Sequence, residues 1–294
     1  MRNDEKSIDL HTHSTRSDGT FTPSELVRYA AKKRLAAIAI TDHDAVSGID
    51  EAASAADETQ VELVSGVELA TAFNGTEIHI VGLFIDCHDG PFLKKLDDMS
   101  KRRAERNAAI FARLNGMGLY IEEADVFNDG VTGGRSATRA NFARALVKRG
   151  YCETIKEGFE RYLNRGRPAY VPREFRPPRD AIAAVRDAGG LSFLAHPILY
   201  GMPRDDVDSM AKNLKNDGLD GIEAIYSLNA PSDEAFFMKM AEKYNMLVTG
   251  GSDFHGANKA TIDLGVGRGD LFVPASILSA IKSSMKTRKQ EARG

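Results

Sequence analysis

Short apolar runs recur along the chain, and most of them carry a histidine near the point where the run gives way to polar residues. The runs are IDLHTH, LAAIAITDHD, VELVSGVEL, EIHIVG, LSFLAHP and MLVTGGSDFH. Helical patterns lie between several of them, and in the first of these Thr22 and Glu25 fit a capping box while Pro23 fits the first helical position. Alternating strand and helix patterns predict a parallel α/β sheet or barrel.

The histidines are placed so that they can act together. His11 and His13 lie two apart in the first run, and residues two apart on a strand face the same side. The carboxyl ends of parallel barrel strands meet at one rim, where functional sites are built. His88, in the loop DCHDG, does not follow this pattern and is predicted to be a surface residue. The candidate metal ligands are His11, His13, Asp18, His43, Glu68, His79, His196, Asp253 and His255.

These donors predict a cluster of divalent ions. Six histidines and three carboxylates are too many for one tetrahedral ion, and several would be costly to bury without a partner. We therefore expect two or three ions, and Glu68 can bridge two of them because it has two oxygens. Imidazole and carboxylate without thiolate suit Mn, Zn or Fe, with Mn ranked first. Cys87 and Cys152 have no CxxC spacing, which disfavours both structural zinc and a disulfide scaffold.

A basic segment interrupts an acidic chain. The net charge is −3, yet residues 99–179 carry 17 Lys and Arg against 9 Asp and Glu. From about 95 to 165 the pattern is helical with glycine breaks and no strand alternation. This segment is either a set of solvated helix faces or a cap that attracts an anionic substrate. The chain has no apolar run of membrane-spanning length and no signal-type start, so we expect a cytoplasmic protein with no membrane partner.

Six motifs together resemble one family. DLHTHSTRSDGT, AITDHD, GVEL, EIHIVG, LAHP and GGSDFH follow one another, from about residue 8 to 255, as in the PHP (polymerase and histidinol phosphatase) domain. The SDG and RPAYVP stretches resemble its branch of small bacterial phosphoesterases active on nucleotides and short RNA. The resemblance implies an α/β fold, a distorted (β/α)7 barrel from residues 1–95 and 166–294, with a helical cap inserted at 96–165.

The resemblance also implies how the ligands are shared among three ions. Where this branch typically has Arg-Pro-His in its cap, the chain has TRANFARAL, with Asn141 in the place of the histidine. A phosphate contact or proton donor from the cap is therefore expected to be weaker or differently arranged. The implied sets are His11, His13, Glu68 and Asp253 for one ion, Glu68, His79 and His196 for a second, and Asp18, His43 and His255 for a third.

The predicted function is a metal-dependent phosphoesterase. A metal-bridging hydroxide would attack phosphorus, and arginines from the basic cap would clamp the phosphate. Arg139 and Arg167 are the candidates, with Arg135 a weaker third, although a surface salt bridge is the alternative for each. Asp44 and Glu223 could each orient a ligand or serve a purely structural role.

The sequence predicts the substrate less specifically than the class of reaction. Tyr162, Tyr170 and Phe175 could stack on a base or could belong to the core of the cap. We expect hydrolysis of a terminal phosphate from a small nucleotide such as a 3′,5′-bisphosphonucleotide. The alternative is a 5′-to-3′ exonuclease acting on short 5′-phosphorylated single-stranded RNA. Duplex nucleic acid is not expected as a partner, because the acidic body has no long basic track. A metal-dependent amidohydrolase and a non-catalytic PHP module rank lower.

Overall fold

The structure is a computed structural model that describes residues 5–126, 137–172 and 175–291. Its central sheet has the strand order β2-β3-β4-β5-β6-β7. The pairs β2–β3, β5–β6 and β6–β7 are parallel, whereas β4 is antiparallel to both of its neighbours. The strands are β1 (Ser7–Ile8), β2 (Ala37–Ile40), β3 (Glu62–Phe73), β4 (Thr76–Leu83), β5 (Leu191–Leu194), β6 (Gly221–Tyr226), β7 (Leu247–Gly251) and β8 (Val273–Pro274).

The segment that follows β1 lies between the two edges of this sheet. Asp9 N donates to Ala37 O in β2 at 3.0 Å, and Leu10 N donates to Gly250 O in β7 at 3.1 Å. Further on, Asp253 N donates to the carbonyl of His11 at 2.8 Å. These bonds add a seventh strand position and curl the sheet into a barrel, so the predicted distorted (β/α)7 barrel is confirmed.

The distortion comes from the β3–β4 hairpin, which replaces a helical crossover. Asn74 and Gly75 form its two-residue turn, and both have positive φ, 48° and 81°. Two-residue hairpin turns of this kind match the right-handed twist of the strands. The register pairs Ala70 with His79 and Phe73 with Thr76, which places Glu68 and His79 diagonally on one face of the ladder.

Helices cover the outside of the barrel. Helix α1 begins as predicted, because Glu25 N donates to Thr22 Oγ1 at 3.2 Å and Thr22 N donates to Glu25 Oε2 at 2.8 Å. One hydrophobic cluster lies between helices and sheet and a second fills the barrel interior, for example with Leu10 and Phe193. The outer helices are α1 (Pro23–Lys32), α2 (Ile49–Asp57), α7 (Pro178–Asp187), α8 (Arg204–Asn216) and α9 (Pro231–Lys243). Helix α10 (Ala275–Glu291) instead contributes Leu278 and Ile281 to the second cluster.

A third hydrophobic cluster belongs to the inserted segment, which in its described part is helical. Its elements are α3 (Gly90–Gly116), α4 (Glu123–Val126), α5 (Arg139–Lys148), α6 (Ile155–Gly158) and a π-helical turn (Phe159–Leu163). Phe92 and Leu96 at the start of α3 pack against the barrel, whereas Ile110 and Leu114 near its end pack in the third cluster. Barrel and cap are thus joined along one continuous helix, and domain boundaries at 95/96 and 165/166 stay a prediction.

Candidate metal centre

The nine predicted metal ligands lie together at the carboxyl-terminal rim of the barrel. Seven of them lie in segments that follow a strand, as the sequence pattern predicts, whereas Glu68 lies within β3 and His79 within β4. All but His79 are buried, with His79 half-buried at the mouth. The nine are His11, His13, Asp18, His43, Glu68, His79, His196, Asp253 and His255.

Glu68 is at the centre of this group and uses both carboxylate oxygens. Oε1 lies 2.8 Å from His79 Nδ1 and 2.8 Å from His196 Nε2. Oε2 lies 3.1 Å from His43 Nδ1 and 3.2 Å from His13 Nε2. Burial alone would raise the pKa of Glu68, but the nearby His43 and His79 outweigh it and hold that pKa well below its ordinary value. Glu68 is therefore an anion with two oxygens directed at separate groups of imidazoles.

Asp253 and Asp18 flank Glu68. Asp253 Oδ1 lies 3.4 Å from His13 Nε2 and 3.9 Å from His11 Nε2. Asp18 Oδ1 lies 3.2 Å from His255 Nε2. Burial raises the pKa of Asp18 and Asp253, but charged neighbours lower both pKa values well below the usual value. Three carboxylates thus remain ionised in a buried site.

The free ring nitrogens of this site fit metal ligation. His11 Nε2 and His13 Nε2 are buried and have no hydrogen-bond partner, which is costly unless something else coordinates them. The donors form overlapping groups whose ligand atoms lie within 4.8 Å of one another. Imidazole nitrogen with carboxylate oxygen is a donor set for divalent ions such as Mn, Zn or Fe. The groups are His13, Asp18, His43 and His255; His11, His13 and Asp253; His11, Glu68 and His196; and His43, Glu68 and His79.

Glu223, which the sequence left ambiguous, supports two of the histidines. Its Oε1 accepts from His11 Nδ1 at 3.0 Å, and its Oε2 accepts from the backbone N of His196 at 2.7 Å. A carboxylate on the far nitrogen of an imidazole fixes the tautomer and leaves the other nitrogen free for a metal. Glu223 is therefore a positioning residue for His11 and for the turn that carries His196.

Asp253 has a comparable support, which the sequence analysis missed. Its Oδ2 accepts from Tyr226 Oη at 2.8 Å and from Lys259 Nζ at 2.6 Å. These two bonds leave Oδ1 directed at His11 and His13. Tyr226 lies in an apolar strand run and Lys259 in a short helical turn after the GGSDFH motif, so neither has a local pattern that marks it as functional.

Asp44, also left ambiguous, is part of a buried ion pair. Its carboxylate accepts from Arg103 in α3, and its backbone N donates to Glu68 O at 2.9 Å. The pair joins the cap helix to the rim beside the metal ligands. Arg103 could not be singled out from the sequence, because the motif KRRAERNAAIFAR contains several arginines with equal claim.

Three residues at the rim have left-handed backbone conformations that non-glycine residues rarely adopt. The φ angles are 53° for Asp44, 27° for His196 and 57° for Asp253. Such conformations are costly and occur where the surrounding structure enforces them, commonly at functional sites. Here Asp44 is held by its hydrogen bond with Arg103, and His196 by its bond with Glu223. Asp253 is held by its bond with Lys259.

A cavity of about 280 Å³, here called the metal-side cavity, opens above these ligands. His43, His79 and His255 form part of its floor, and its upper wall comes from the cap. The cations that line it are Arg103, Arg106, Arg139, Arg144 and Lys259, and the apolar cap residues that line it include Ile155 and Phe159.

The predicted phosphate-binding arginines have different locations. Arg139 lines the metal-side cavity and lies 3.3 Å from Glu77 Oε2. Arg167 is exposed and does not line this cavity, and Arg135 lies outside the described residues. Arg144, which the sequence analysis missed, lines the cavity and donates to Asn258 Oδ1.

Asn141 does not replace a histidine toward the cavity. Its Oδ1 accepts from Thr138 N at 3.0 Å and from Thr138 Oγ1 at 2.8 Å, so the side chain caps the start of α5. Among the candidate aromatics, Tyr162 packs against the cap cluster and Tyr170 lies beside Arg139, with 6.0 Å between ring centre and guanidinium carbon. The aromatic ring in the cavity wall belongs to Phe159.

The other residues singled out in the sequence lie away from the rim. His88 is exposed and lies 3.3 Å from Asp50 Oδ1, in keeping with its predicted surface position. Cys87 and Cys152 are free thiols. Within the described residues, every helix is too short or too polar to cross a bilayer.

The family model named PHP domain matches residues 9–164, and the chain belongs to this family. It is 35% identical over 252 residues to a 5′-3′ exoribonuclease of Haemophilus influenzae, covering 85% of this chain and 90% of the relative. It is 32% identical over 262 residues to a 3′,5′-nucleoside bisphosphate phosphatase of Chromobacterium violaceum, covering 88% of this chain and 90% of the relative.

Two solved structures have the same fold. One, described as an amidohydrolase from Chromobacterium violaceum with bound sulfate, is 31% identical with a TM-score of 0.83, covering 94% of this chain and 96% of the other. The other, from Bifidobacterium adolescentis and described as a metal-dependent phosphoesterase, is 29% identical with a TM-score of 0.81, covering 95% of this chain and 96% of the other. The predicted family, fold and enzyme class, a phosphoesterase, are confirmed.

Proposed function

We propose that this phosphoesterase removes a terminal phosphate from a small nucleotide, with a 3′,5′-bisphosphonucleotide as its substrate. The observation that carries the proposal is the metal-side cavity, whose floor is a cluster of metal donors and whose upper wall carries guanidinium groups. At about 280 Å³ the cavity is close to the lower limit of small-ligand sites, about 300 Å³, and is too small for a duplex.

In this proposal the nine rim residues hold two or three divalent ions in the sets implied by the family resemblance. The ions supply Lewis acidity and activation of water at neutral pH. Manganese as the native ion and a cytoplasmic location are parts of the same proposal. The ligands are His11, His13, Asp18, His43, Glu68, His79, His196, Asp253 and His255.

The cap supplies the groups that bind substrate. Arg139 and Arg144 lie five residues apart on α5 and both line the cavity. Guanidinium groups suit phosphate because their donors form a planar fork. Burial lowers the pKa of Arg144, but an arginine stays protonated under all ordinary conditions. Lys259 adds a further cation at the floor, held by Asp253.

The second candidate, a 5′-to-3′ exonuclease on short 5′-phosphorylated RNA, is favoured by the similarity to the Haemophilus influenzae exoribonuclease. The two candidates share one chemical core. A 3′,5′-bisphosphonucleotide and the first nucleotide of a 5′-phosphorylated RNA both carry a 5′-phosphate and a phosphorus on the 3′ oxygen. One site could therefore hydrolyse either, and the groups attached beyond the reacting phosphorus would decide the preference.

An amide is a poorer fit to the same cavity. A neutral carbonyl substrate gains little from several cations in the wall, whereas a phosphate with two or more negative charges does. Because the similar Chromobacterium violaceum structure is described as an amidohydrolase, an amide is included in the assay.

The test is a substrate panel. Mn-loaded protein is incubated with a 3′,5′-bisphosphonucleotide, a short 5′-phosphorylated RNA, histidinol phosphate and an amide. We expect the highest kcat/KM for the bisphosphonucleotide. An RNA preference of tenfold or more, about 1.4 kcal/mol of transition-state stabilisation, would favour the exonuclease, and turnover of the amide alone would refute the proposal.

A further inference from the structure

A second cavity lies beside the first. It has a volume of about 330 Å³ and lies between α3 and the barrel edge at β3. Four arginines line it, together with one carboxylate, Glu105. The arginines are Arg102, Arg103, Arg106 and Arg176, and the apolar lining comes from Ala70, Met99, Ala109, Val171 and Pro172.

The two cavities meet at two side chains. Arg103 and Arg106, one turn apart on α3, line both the metal-side cavity and the second cavity. Arg103 is fixed by its buried ion pair with Asp44, and Arg106 Nε donates to Val171 O at 3.1 Å. The two cavities therefore lie on either side of these two side chains.

Arg176 gives the second cavity an uncompensated charge. Its backbone is held by a hydrogen bond from Ala72 N to Arg176 O at 3.4 Å and by a bridge to Thr71. Among the described residues its guanidinium has no hydrogen bond or ion pair, and it is only half exposed. A partly buried guanidinium beside another cation-lined space favours an anionic ligand such as a planar carboxylate or a tetrahedral phosphate.

We propose that the second cavity binds the phosphate that follows the reacting phosphorus in a single-stranded oligoribonucleotide. This inference rests on the second candidate of the proposed function, hydrolysis of short 5′-phosphorylated RNA, and adds a binding site for that substrate. The cations would contact the backbone phosphate, and the apolar lining would contact the sugar and base of the second nucleotide. A bisphosphonucleotide ends at the reacting phosphate and does not reach this cavity, so only RNA gains from it.

The test compares two arginines of neighbouring sequence. Arg176→Ala removes the guanidinium in the cavity, and Arg179→Ala removes an exposed guanidinium on α7 as a matched control. For Arg176→Ala we expect kcat/KM for a 5′-phosphorylated hexaribonucleotide to fall about tenfold, the loss typical of one charge-assisted hydrogen bond. We expect kcat/KM for the bisphosphonucleotide to change less than twofold, and Arg179→Ala to change neither.

A binding measurement makes the outcome independent of turnover. Fluorescence anisotropy with a labelled phosphorothioate hexaribonucleotide, on protein without added metal, should show weaker binding by Arg176→Ala and a salt dependence whose log–log slope is shallower by about 0.7. Arg176→Lys should recover part of the affinity. An unchanged affinity and slope would overturn the proposal, as would an equal loss of kcat/KM for both substrates. If the native protein binds this RNA through Arg176 but hydrolyses neither substrate, the proposed function is wrong, whereas the second cavity is still an RNA-binding site.

Discussion

The floor and the upper wall of the metal-side cavity are built in different ways. Beneath the floor, Glu68 is 1% exposed and each of its oxygens lies within 3.2 Å of two imidazole nitrogens. In the upper wall, the Arg139 side chain is 30% exposed, and its ion pair among the described residues is with Glu77 at 3.3 Å. The metal donors come from barrel strands and the segments that follow them, and the wall arginines come from helices of the inserted cap.

The difference shows what fixes the positions of the side chains in each part of the site. Barrel strands are fixed by the ladder on both sides, and hydrogen bonds with Glu223, Tyr226 and Lys259 then orient the ligands. The Arg139 and Arg144 side chains are long and only partly buried, so they can adapt to a substrate. We therefore expect substitutions in the floor to abolish the reaction and substitutions in the wall to tune it.

Removal of the metal should give the largest effect. Treatment with a chelator, followed by desalting, should reduce hydrolysis by more than about a thousandfold, because no described side chain can take over activation of the water. Re-addition of Mn²⁺ should restore it. Far-ultraviolet circular dichroism should show little change, because the barrel has its own hydrophobic core. Full activity in the chelated protein would show that the metal donors of the floor are not required for the reaction.

Glu68→Gln should have the next largest effect. The amide keeps the shape of the side chain but removes the negative charge and one acceptor, so ions that share Glu68 lose a ligand. We expect metal content to fall by at least one ion per chain and kcat/KM to fall by more than about a hundredfold. His88→Ala is the matched control and should leave the metal content of the rim unchanged, because His88 is exposed and belongs to none of the four rim groups. Equal metal content in the two variants would contradict the central role of Glu68.

Glu223→Gln should have an intermediate effect. Glu223 does not belong to the proposed ligand set but orients His11 and the His196 turn through two hydrogen bonds. Loss of such a supporting carboxylate typically costs about 10- to 100-fold in metal affinity. Competition with a fluorescent chelator measures this, and saturating Mn²⁺ should recover most of the activity. A variant that binds metal normally would show that the floor does not depend on this support.

Arg144→Ala should have the smallest effect of the four. Arg144 is a wall residue with one hydrogen bond to Asn258, so its loss should lower kcat/KM for a phosphorylated nucleotide by about tenfold without changing metal content. Arg167→Ala should change kcat/KM less than twofold, because Arg167 does not line the metal-side cavity. A larger loss of kcat/KM for Arg167→Ala than for Arg144→Ala would contradict this account and support Arg167 as a phosphate-binding residue, as the sequence analysis predicted.

The metal donors could be predicted from the sequence more fully than the wall, where Arg139 was predicted and Arg144 was missed, and the reason is geometric. A histidine or carboxylate at the end of a buried strand has its location fixed by the barrel topology, so HTH, TDH and SDFH each mark a rim position. An arginine on a cap helix faces the cavity only if the helix is rotated suitably, and that rotation depends on packing in the third hydrophobic cluster. Arg139 and Arg144 face the cavity, whereas Arg167 follows the turn after Leu163 and is exposed.

Among the supporting residues, Glu223 was left ambiguous and Tyr226 was missed, for a related reason. Glu223 and Tyr226 lie in the apolar run GIEAIYS, and their partners His11 and Asp253 are distant in sequence. Only the closure of the barrel brings them together. Asn141 was expected to alter a contact to the substrate, but its side chain caps α5, a local role that the spacing from Thr138 could have indicated.

The number of bound ions tests the central claim most directly. The protein is dialysed against Mn²⁺, freed of loosely bound metal, and assayed by inductively coupled plasma mass spectrometry, with protein concentration from amino-acid analysis. The nine rim side chains predict two to three ions per chain in the native protein and at least one fewer in Glu68→Gln. Less than one ion per native chain would contradict a multinuclear centre and the phosphoesterase mechanism that depends on it.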